Sequence, residues 1–337
     1  MNALLLRSPA PLVTRPAPLE WSEVPLPVPG PGEVRIRMQA CGICHTDLQI
    51  VEGDLFPPAL PLIPGHQIVG TVDAVGEMVT HLHEGDRVGV GWLAWACGVC
   101  EFCRTGRENL CERARFTGYD VAGGYAEATV ADAGFVYRLP SQYSAQEAAP
   151  LLCAGIIGYR SLRLAEVHPG DRVGLFGFGA SAHLALQVAQ HWGCEVFVFT
   201  RSEAHRAMAR ALGAVWAGGL EDAAPPPVDR GVVFAPSGNV VVGALGHLRR
   251  GGTLAINAIY LDRIPEFPYA RLYWERTVRS VANATRRDAE EFLALAGELF
   301  LRVSVTPVRP QETNAALGDL KRGAIQGAAV VQFDGSV

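Results

Sequence analysis

The chain has 337 residues, of which 49% are hydrophobic and 19% are charged, and its formal net charge is -5. This length predicts two domains, and the mildly acidic balance argues against nucleic acid as the main partner. Apolar runs are too short for a membrane span, and Arg7 and several prolines interrupt the first residues, so we expect neither a membrane segment nor a signal peptide. Eight cysteines in such a chain predict metal ligands and reactive thiols in a cytoplasmic protein.

The first part of the chain predicts short strands and turns. Residues 33–40, EVRIRMQA, alternate between apolar and polar side chains, as a half-buried strand does. Residues 68–91 contain further strands punctuated by glycine. His81 and His83 lie in a polar turn there, and we expect them to be solvated rather than to bind metal.

Between these strands, residues 41–67 contain a candidate catalytic metal site. Cys44 and His66 offer a thiolate and an imidazole, which zinc prefers, and a catalytic zinc usually takes three protein ligands. Cys153 is the best candidate for the third ligand. Thr46 supplies a hydroxyl suited to relaying a proton, and Asp47 could orient His66. Taken singly, Cys44 would be interpreted as a buried small hydrophobic residue and His66 as a core histidine; the cysteine cluster downstream favours the metal site.

A cluster of cysteines follows in a segment that we call the cysteine lobe, residues 95–113. The spacing C-x2-C-x2-C-x7-C lets four thiolates converge on one ion, which predicts a closed, structural zinc site formed by Cys97, Cys100, Cys103 and Cys111. An iron–sulfur cluster uses similar spacings, but no proline follows the last cysteine. Three arginines near in sequence could offset the negative charge of the site: Arg104, Arg107 and Arg113.

The second half of the chain has a different pattern. Residues 116–140 predict further strands, with an alternating run at 123–130, and a helical pattern extends from Ser144 past Cys153 to about His168. Residues 171–200 then predict strand, glycine turn, helix and strand. Gly177, Gly179 and Ala182 form G-x-G-x-x-A directly after the first strand, which favours a dinucleotide pyrophosphate at the helix N-terminus. Continued alternation, with a helix through residues 244–250, predicts a doubly wound parallel sheet.

The end of the second strand of this unit bears on nucleotide choice. An NAD site usually has an acidic residue there, whereas this chain has Thr200, Arg201 and Ser202. A guanidinium and two hydroxyls could hold a 2′-phosphate, and no carboxylate among them would repel it. We therefore expect NADP to be favoured over NAD. The alternative is a solvent-facing arginine beside a permissive NAD site.

These motifs together resemble the zinc-dependent alcohol dehydrogenases of the medium-chain dehydrogenase/reductase superfamily, nearly end to end. The resemblance rests on CGICHTDL, PGHQIVGTVDAVG, the cysteine lobe, LLCAG and GFGASA. It implies an α/β fold, with a mostly β, GroES-like catalytic domain carrying the zinc lobe and a Rossmann-type domain with a doubly wound parallel sheet. We expect the catalytic domain at 1–153 and 286–337 and the nucleotide-binding domain at 154–285.

The resemblance also implies roles for individual residues. Two zinc ions would bind per chain, a catalytic one at Cys44, His66 and Cys153 and a structural one in the cysteine lobe. His45 would contact the cofactor pyrophosphate and Ala180 the cofactor, while Trp92 and Leu93 would line the substrate site. The expected reaction interconverts alcohols with aldehydes or ketones by hydride transfer to or from the nicotinamide. A homodimer or homotetramer is implied as well.

Two departures from the family pattern leave alternatives open. Gln67 stands where relatives usually have a glutamate beside the histidine ligand, and Gln49 where many place the histidine that ends the proton relay. Glutamine cannot shuttle a proton at neutral pH, so the relay would stop at Thr46 and the ribose, use water, or pass through His45. The alternatives are a zinc-free quinone or enoyl reductase, a zinc-binding relative with little turnover, and a polyol or sugar dehydrogenase.

Overall fold

A computed structural model describes residues 1–222 and 226–333; residues 223–225 and 334–337, which belong to the two predicted domain ranges, lie outside the described residues. The chain forms two compact units. The first comprises Met1–Cys153 together with the segment from Asn283 onward, and the second comprises Ala154–Ala282. Within the described residues, no helix combines the length and the apolar character that crossing a membrane requires.

The elements are named here in chain order. The strands of the described residues are β1 (Asn2–Leu6), β2 (Leu19–Glu23), β3 (Glu33–Ile43), β4 (Gln67–Val75), β5 (Arg87–Val90), β6 (Leu93–Trp95), β7 (Arg115–Phe116), β8 (Ala128–Asp132), β9 (Val136–Arg138), β10 (Arg172–Phe176), β11 (Glu195–Phe199), β12 (Trp216–Gly218), β13 (Val228–Val233), β14 (Leu248–Ile256), β15 (Thr277–Ser280), β16 (Val305–Val308) and β17 (Ala328–Gln332). The α-helices of the same residues are α1 (His45–Glu52), α2 (Glu101–Arg104), α3 (Ala145–Pro150), α4 (Ile156–Leu164), α5 (Ala180–His191), α6 (Glu203–Ala211), α7 (Gly238–His247), α8 (Arg286–Glu298) and α9 (Thr313–Lys321).

The first unit is built around a mostly antiparallel sheet. Its described strands follow the order β16-β17-β3-β4-β5-β9, and β8 also pairs with β3. As the sequence alternation predicts, Val34, Ile36 and Met38 of β3 are buried while Arg37 between them is exposed. These apolar side chains join one core with residues from β4, β5 and the C-terminal segment. The strand pairing therefore holds both ends of the chain in one unit.

The alternating run predicted at 123–130 forms a strand only from Ala128 onward. The amides of Gly123 and Gly124 instead donate to the carbonyls of Ile63 (2.7 Å) and Gly65 (2.8 Å). A Cβ at Gly123 would lie 2.2 Å from the Gly65 carbonyl oxygen. Gly123 is needed because this segment packs directly against the backbone before His66, and Gly124 because a Cβ there would lie 2.5 Å from the Ile68 side chain.

The second unit contains the predicted parallel sheet. Its described strands follow the order β12-β11-β10-β13-β14-β15, and every neighbouring pair is parallel. The order in which successive strands are added changes direction between β10 and β13, the position at which such sheets bind ligands. The predicted helix through 244–250 ends earlier, at His247, because Leu248 pairs with Val228 as the start of β14.

Candidate metal and cofactor sites

Strand pairing in the first unit brings Cys44 and His66 together. Gly42 near the end of β3 pairs with Gln67 at the start of β4 in antiparallel register. Cys44 follows β3 directly and His66 immediately precedes β4. Residues distant in sequence are therefore neighbours because two strand ends meet.

The N-terminus of α1 fixes three of the candidate site residues. Cys44 is the N-cap, and its Sγ accepts from the Thr46 amide at 3.3 Å. Asp47 completes a capping box, since its Oδ2 accepts from the Cys44 amide at 2.9 Å. A helix N-terminus favours negative charge, so this position favours a thiolate at Cys44.

The three predicted catalytic-metal ligands converge. The Nε2 atom of His66 lies 3.4 Å from the Sγ atom of Cys44, and the ligand atoms of these two residues and Cys153 all lie within 4.8 Å of one another. Cys153 lies in a π-helical turn, Leu151–Gly155, that follows α3. Such a wide turn often occurs at functional sites. The sequence predicted a helix here but not this irregularity.

Electrostatics in this cluster favour one thiolate and a protonated imidazole in the metal-free chain. A hydrogen bond from Cys153, together with the nearby His66, holds the pKa of the Cys44 thiol well below its usual range despite burial. Burial alone would lower the pKa of His66, but the charges of Asp47 and Cys44 outweigh it and raise that pKa well above its usual range. Burial raises the pKa of Asp47, and His66 partly offsets the rise.

The carboxylate of Asp47 fixes the orientation of the imidazole. Nδ1–H of His66 donates to Oδ1 of Asp47 at 3.2 Å, which directs the Nε2 atom towards Cys44. Both side chains are almost fully buried, at 1% and 0% exposure. Histidine ligands of metals are commonly oriented in this way by a carboxylate on the second nitrogen.

Tyr125 is a participant that the sequence did not indicate. It is fully buried, and a hydrogen bond to Asp47 is among the interactions that, after burial, raise the pKa of its hydroxyl. The same hydroxyl lies 3.4 Å from the Gly42 carbonyl oxygen. A Cβ at Gly65 would lie 2.6 Å from the Tyr125 ring, so this glycine makes room for the tyrosine. The only indication in the sequence was the adjacent pair Gly123 and Gly124 before Tyr125, which we predicted to belong to a strand.

The donor set fits a zinc ion. Tetrahedral bonds of about 2.3 Å to sulfur and about 2.0–2.1 Å to nitrogen place a thiolate and an imidazole nitrogen about 3.6 Å apart, close to the separation of Cys44 and His66. Two thiols and an imidazole with a fixed tautomer are the donor types that zinc prefers. Three protein ligands also leave a fourth position for another molecule.

The cysteine lobe gathers a second set. The Sγ atoms of Cys97, Cys100, Cys103 and Cys111 all lie within 4.8 Å of one another, and those of Cys97 and Cys103 are 3.8 Å apart. Tetrahedral bonds of about 2.3 Å to one zinc predict about 3.8 Å between sulfurs. The geometry therefore fits one ion enclosed by four thiolates.

Local hydrogen bonds prepare this lobe for metal. The amides of Cys100 and Cys103 donate to the sulfurs of Cys97 (3.3 Å) and Cys100 (3.5 Å). A backbone hydrogen bond from Val99 and a side-chain bond from Arg113 lower the pKa of Cys97 to about 5. Burial and a hydrogen bond with Cys100 raise the pKa of Cys103 to about 12. These shifts favour a thiolate at Cys97 in the metal-free lobe, and a bound cation would favour thiolates at the other three cysteines.

An aromatic group borders the Cys44 cluster. Trp92 meets the His66 ring edge-on, with centroids 5.1 Å apart, and stacks on Phe116 at 5.0 Å. Tyr119 lies 6.0 Å from Trp92, and neither it nor Phe116 was among the predicted substrate residues. Leu93 is only 6% exposed, whereas Trp92 is half-buried. Trp92 therefore offers more surface to a ligand than Leu93 does.

In the glycine turn of the second unit, one glycine is required by packing and the other leaves space for a ligand. Gly177 has a φ of +94°, and a Cβ there would lie 2.7 Å from the Ala235 amide nitrogen. An added Cβ at Gly179, the N-cap of α5, would have no described residue within 4 Å apart from its chain neighbours and α5 itself, so a ligand can approach the backbone there. Ala180 begins α5, whose first amides have no partner within the helix, and Ala182 is fully buried. This arrangement fits a pyrophosphate at the helix N-terminus.

The predicted nucleotide-discriminating residues lie between β11 and α6. Ser202 is the N-cap of α6, and its Oγ accepts from the His205 amide at 3.3 Å. The Thr200 amide donates to the Gly218 carbonyl at 2.7 Å. Arg201 is exposed, and its side chain has no hydrogen bond or ion pair to another described residue. A cationic side chain is thus available beside two hydroxyls.

The two glutamines and His45 occupy different environments. Gln67 is 2% exposed, and its amide covers Gly42, where a Cβ would lie 2.7 Å from the Gln67 Oε1 atom. Gln49 is half-buried on α1, and His45 is exposed at the first position of that helix. The expected contact of His45 with a pyrophosphate stays a prediction.

Comparison with known proteins identifies the relatives of this chain. The family described as the alcohol dehydrogenase GroES-like domain matches residues 30–141. The chain is 47% identical to the probable alcohol dehydrogenase AdhA of Mycobacterium tuberculosis, over 98% of this chain and 97% of that protein.

Solved structures extend the similarity to the whole fold. A cinnamyl alcohol dehydrogenase of Sorghum bicolor aligns with a TM-score of 0.90 and 27% identity, covering 100% of this chain and 98% of that one. A thermostable alcohol dehydrogenase of Pyrobaculum aerophilum, described as cobalt- and zinc-bound, aligns with a TM-score of 0.88 and 26% identity over 99% of both chains. The predicted fold class and the family resemblance are confirmed. The chain belongs to the alcohol dehydrogenases of the medium-chain dehydrogenase/reductase superfamily.

Proposed function

We propose that this alcohol dehydrogenase depends on zinc at Cys44, His66 and Cys153 and oxidises alcohols or reduces aldehydes and ketones. The observation that carries the proposal is the convergence of these three ligand atoms within 4.8 Å, with Asp47 fixing the tautomer of His66. A zinc-free quinone or enoyl reductase would have no need of this set. Zinc described in the Pyrobaculum aerophilum relative supports the same choice.

The residues around the site have separate tasks in this proposal. Zinc supplies a Lewis acid that favours the deprotonated alcohol, and the nicotinamide carries the hydride. Thr46, only 4% exposed, accepts a hydrogen bond from the alcohol hydroxyl and passes its proton outward. Asp47 keeps the proton of His66 on Nδ1, so that Nε2 stays a ligand. Trp92 and Leu93 contact the carbon chain of the substrate.

The proton path beyond Thr46 has no titratable end at Gln49. An amide cannot accept and release a proton near neutral pH, so the path ends at the cofactor ribose, at water or at His45. Gln67 also differs from the usual glutamate, and its neutral amide leaves less negative charge near the zinc ligands. Gln49 therefore changes the proton path and Gln67 changes the charge near the zinc ligands, while all three ligands are present.

We assign a second, structural zinc to Cys97, Cys100, Cys103 and Cys111. The four thiols form a closed set, which leaves no position for a substrate. Its task is to hold the cysteine lobe folded. The separation of 3.8 Å between Cys97 and Cys103 supports a single ion over the iron–sulfur alternative.

We also propose that NADP is favoured over NAD. Gly177, Gly179, Ala180 and Ala182 would receive the pyrophosphate at the N-terminus of α5, with His45 as a further contact. Thr200, Arg201 and Ser202 then lie at the strand end that meets the adenosine ribose in such folds. The exposed guanidinium of Arg201 supports this choice because it is free to pair with a 2′-phosphate.

The remaining parts of the proposal concern the setting of the enzyme. Small alcohols, aldehydes or ketones are its partners, the assembly is a homodimer or homotetramer, and the location is the cytoplasm. All eight cysteines are free thiols in the structure, as a reducing compartment favours. Full-length similarity to alcohol dehydrogenases supports turnover over a merely zinc-binding relative. A polyol or sugar dehydrogenase is tested by a substrate screen with both nucleotides.

Tyr125→Phe should weaken metal binding at the Cys44 site by about tenfold, the low end of the range for outer partners of metal ligands. The change removes one donor from the buried Asp47 and leaves the ring in place. Zinc affinity measured by chelator competition tests this. Tyr143→Phe is the matched control, because the Tyr143 hydroxyl donates to the Ala296 carbonyl at 2.9 Å. This change should lower the stability of the fold and leave zinc affinity unchanged. Equal zinc affinity in the Tyr125 variant and the unmodified protein would remove Tyr125 from the account.

Thr46→Val should lower kcat/KM for alcohol oxidation by about 10²–10⁴-fold, because it removes the hydroxyl that accepts the proton. Zinc content should be unchanged, since Thr46 is not one of the three ligands and its backbone amide still donates to Cys44 in the variant. Steady-state kinetics and metal analysis together measure both effects. Thr46→Ser keeps the hydroxyl and should retain most activity. A valine variant with more than about a tenth of normal activity would show that the proton leaves by another route.

Arg201→Ala should remove most of the preference for NADP, which we expect to be about 10- to 1000-fold in kcat/KM. The alanine variant should lose activity with NADP and keep its activity with NAD. Kinetics with both nucleotides and one alcohol measure the change. Equal use of the two nucleotides by the unmodified protein would contradict the NADP assignment and return the choice to NAD.

A further inference from the structure

Arg206 lies directly behind the predicted nucleotide-discriminating residues. It occupies the first turns of α6, and its side chain is 23% exposed. Its Nε–H donates to the carbonyl of Thr200 at 2.9 Å. The amide of Thr200 donates in turn to the Gly218 carbonyl at 2.7 Å. Both backbone polar groups of Thr200 are therefore held, one by Arg206 and one by β12.

Two carboxylates hold the other end of the same guanidinium. The Nη1 atom of Arg206 lies 3.5 Å from Oε2 of Glu203 and 3.8 Å from Oδ2 of Asp222. Asp222 also accepts from the Gly219 amide at 2.7 Å, which ties it to the end of β12. The side chain of Arg206 thus spans from the end of β11 to the residues after β12.

This environment differs from that of Arg201. The guanidinium of Arg201 is exposed and makes no hydrogen bond or ion pair to another described residue, whereas that of Arg206 is largely covered and partly neutralised. The Nε–H of Arg206 is already bonded to a carbonyl, and the two nearby carboxylates repel an incoming phosphate, so Arg206 is less suited than Arg201 to bind one. One arginine is therefore suited to bind the ligand and the other to shape the backbone.

We infer that Arg206 is a positioning residue for nucleotide preference. It fixes the backbone of Thr200 so that the side chain of Arg201, the next residue, meets a 2′-phosphorylated ribose. The inference rests on the proposed preference for NADP. It adds that this preference depends on the backbone position of Thr200, which Arg206 holds. Loss of Arg206 releases the Thr200 carbonyl and reduces the benefit of Arg201.

The test measures binding of two probes to the full chain by calorimetry, without alcohol or turnover. Adenosine 2′,5′-bisphosphate carries the 2′-phosphate, and 5′-AMP lacks it. Arg206→Gln should weaken the bisphosphate by about tenfold and 5′-AMP by less than about threefold. Arg206→Lys keeps the charge, and its affinity for the bisphosphate should fall between those of the unmodified protein and Arg206→Gln. It serves as the second variant if the glutamine form does not fold.

Arg210→Gln is the matched control on the same helix. Arg210 also pairs with Glu203 (3.1 Å) and donates to a carbonyl, that of Ala217 (2.9 Å), but it does not contact Thr200. Its substitution should leave the ratio of the two affinities within about twofold of the unmodified ratio. An equal loss of selectivity in this control would assign the effect to the helix in general and overturn the role of Arg206.

A double-mutant cycle separates positioning from direct binding. If Arg206 acts through Arg201, the double variant Arg201→Ala, Arg206→Gln should bind the bisphosphate no more than about twofold more weakly than Arg201→Ala alone. Additive losses, or an Arg206→Gln variant with unchanged selectivity, would overturn the inference while the NADP preference stands. An unmodified protein that binds both probes equally would overturn the NADP preference and this inference, and leave alcohol dehydrogenase activity unaffected.

Discussion

One buried carboxylate, that of Asp47, organises the candidate catalytic site. A charge without exposure to water is costly unless several donors surround it. Asp47 receives the amide of Cys44 at 2.9 Å and the Nδ1–H of His66 at 3.2 Å, and Tyr125 bonds to it as well. The same residue therefore caps a helix, selects a histidine tautomer and sets the two ligand side chains next to each other.

Close packing around this carboxylate explains three glycines of the first unit: Gly42, Gly65 and Gly124. A Cβ at Gly65 would collide with the Tyr125 ring, and one at Gly124 would lie 2.8 Å from the Cys41 sulfur. Gly42 makes room for Gln67 in the same way. The site is thus enclosed by strand ends that only glycine allows to approach. The cost of burying Asp47 is met because the fold brings these segments into contact.

Ligand types and short spacings are local properties, so the sequence predicts much of the site and the fold class. Cys44, Thr46 and Asp47 lie within one helical turn, and G-x-G-x-x-A lies between a strand and a helix that its own pattern predicts. Tyr125 and Arg206 were missed because their importance depends on contacts made by folding. A tyrosine in an alternating run and an arginine on a helix look ordinary until Asp47 and Thr200 are found beside them. The π-helical turn at Cys153 was missed for a similar reason, since its residues read as a continuous helix.

Stepwise removal of metal tests the central claim, that one zinc supports turnover and another supports the fold. Zinc analysis during mild chelation should begin at about two equivalents per chain. Loss of the first equivalent should abolish alcohol oxidation with little change in thermal stability, and zinc added back should restore activity. Loss of the second should unfold the cysteine lobe. Full alcohol oxidation after the first equivalent has left, or fewer than about two equivalents in carefully prepared protein, would contradict the account.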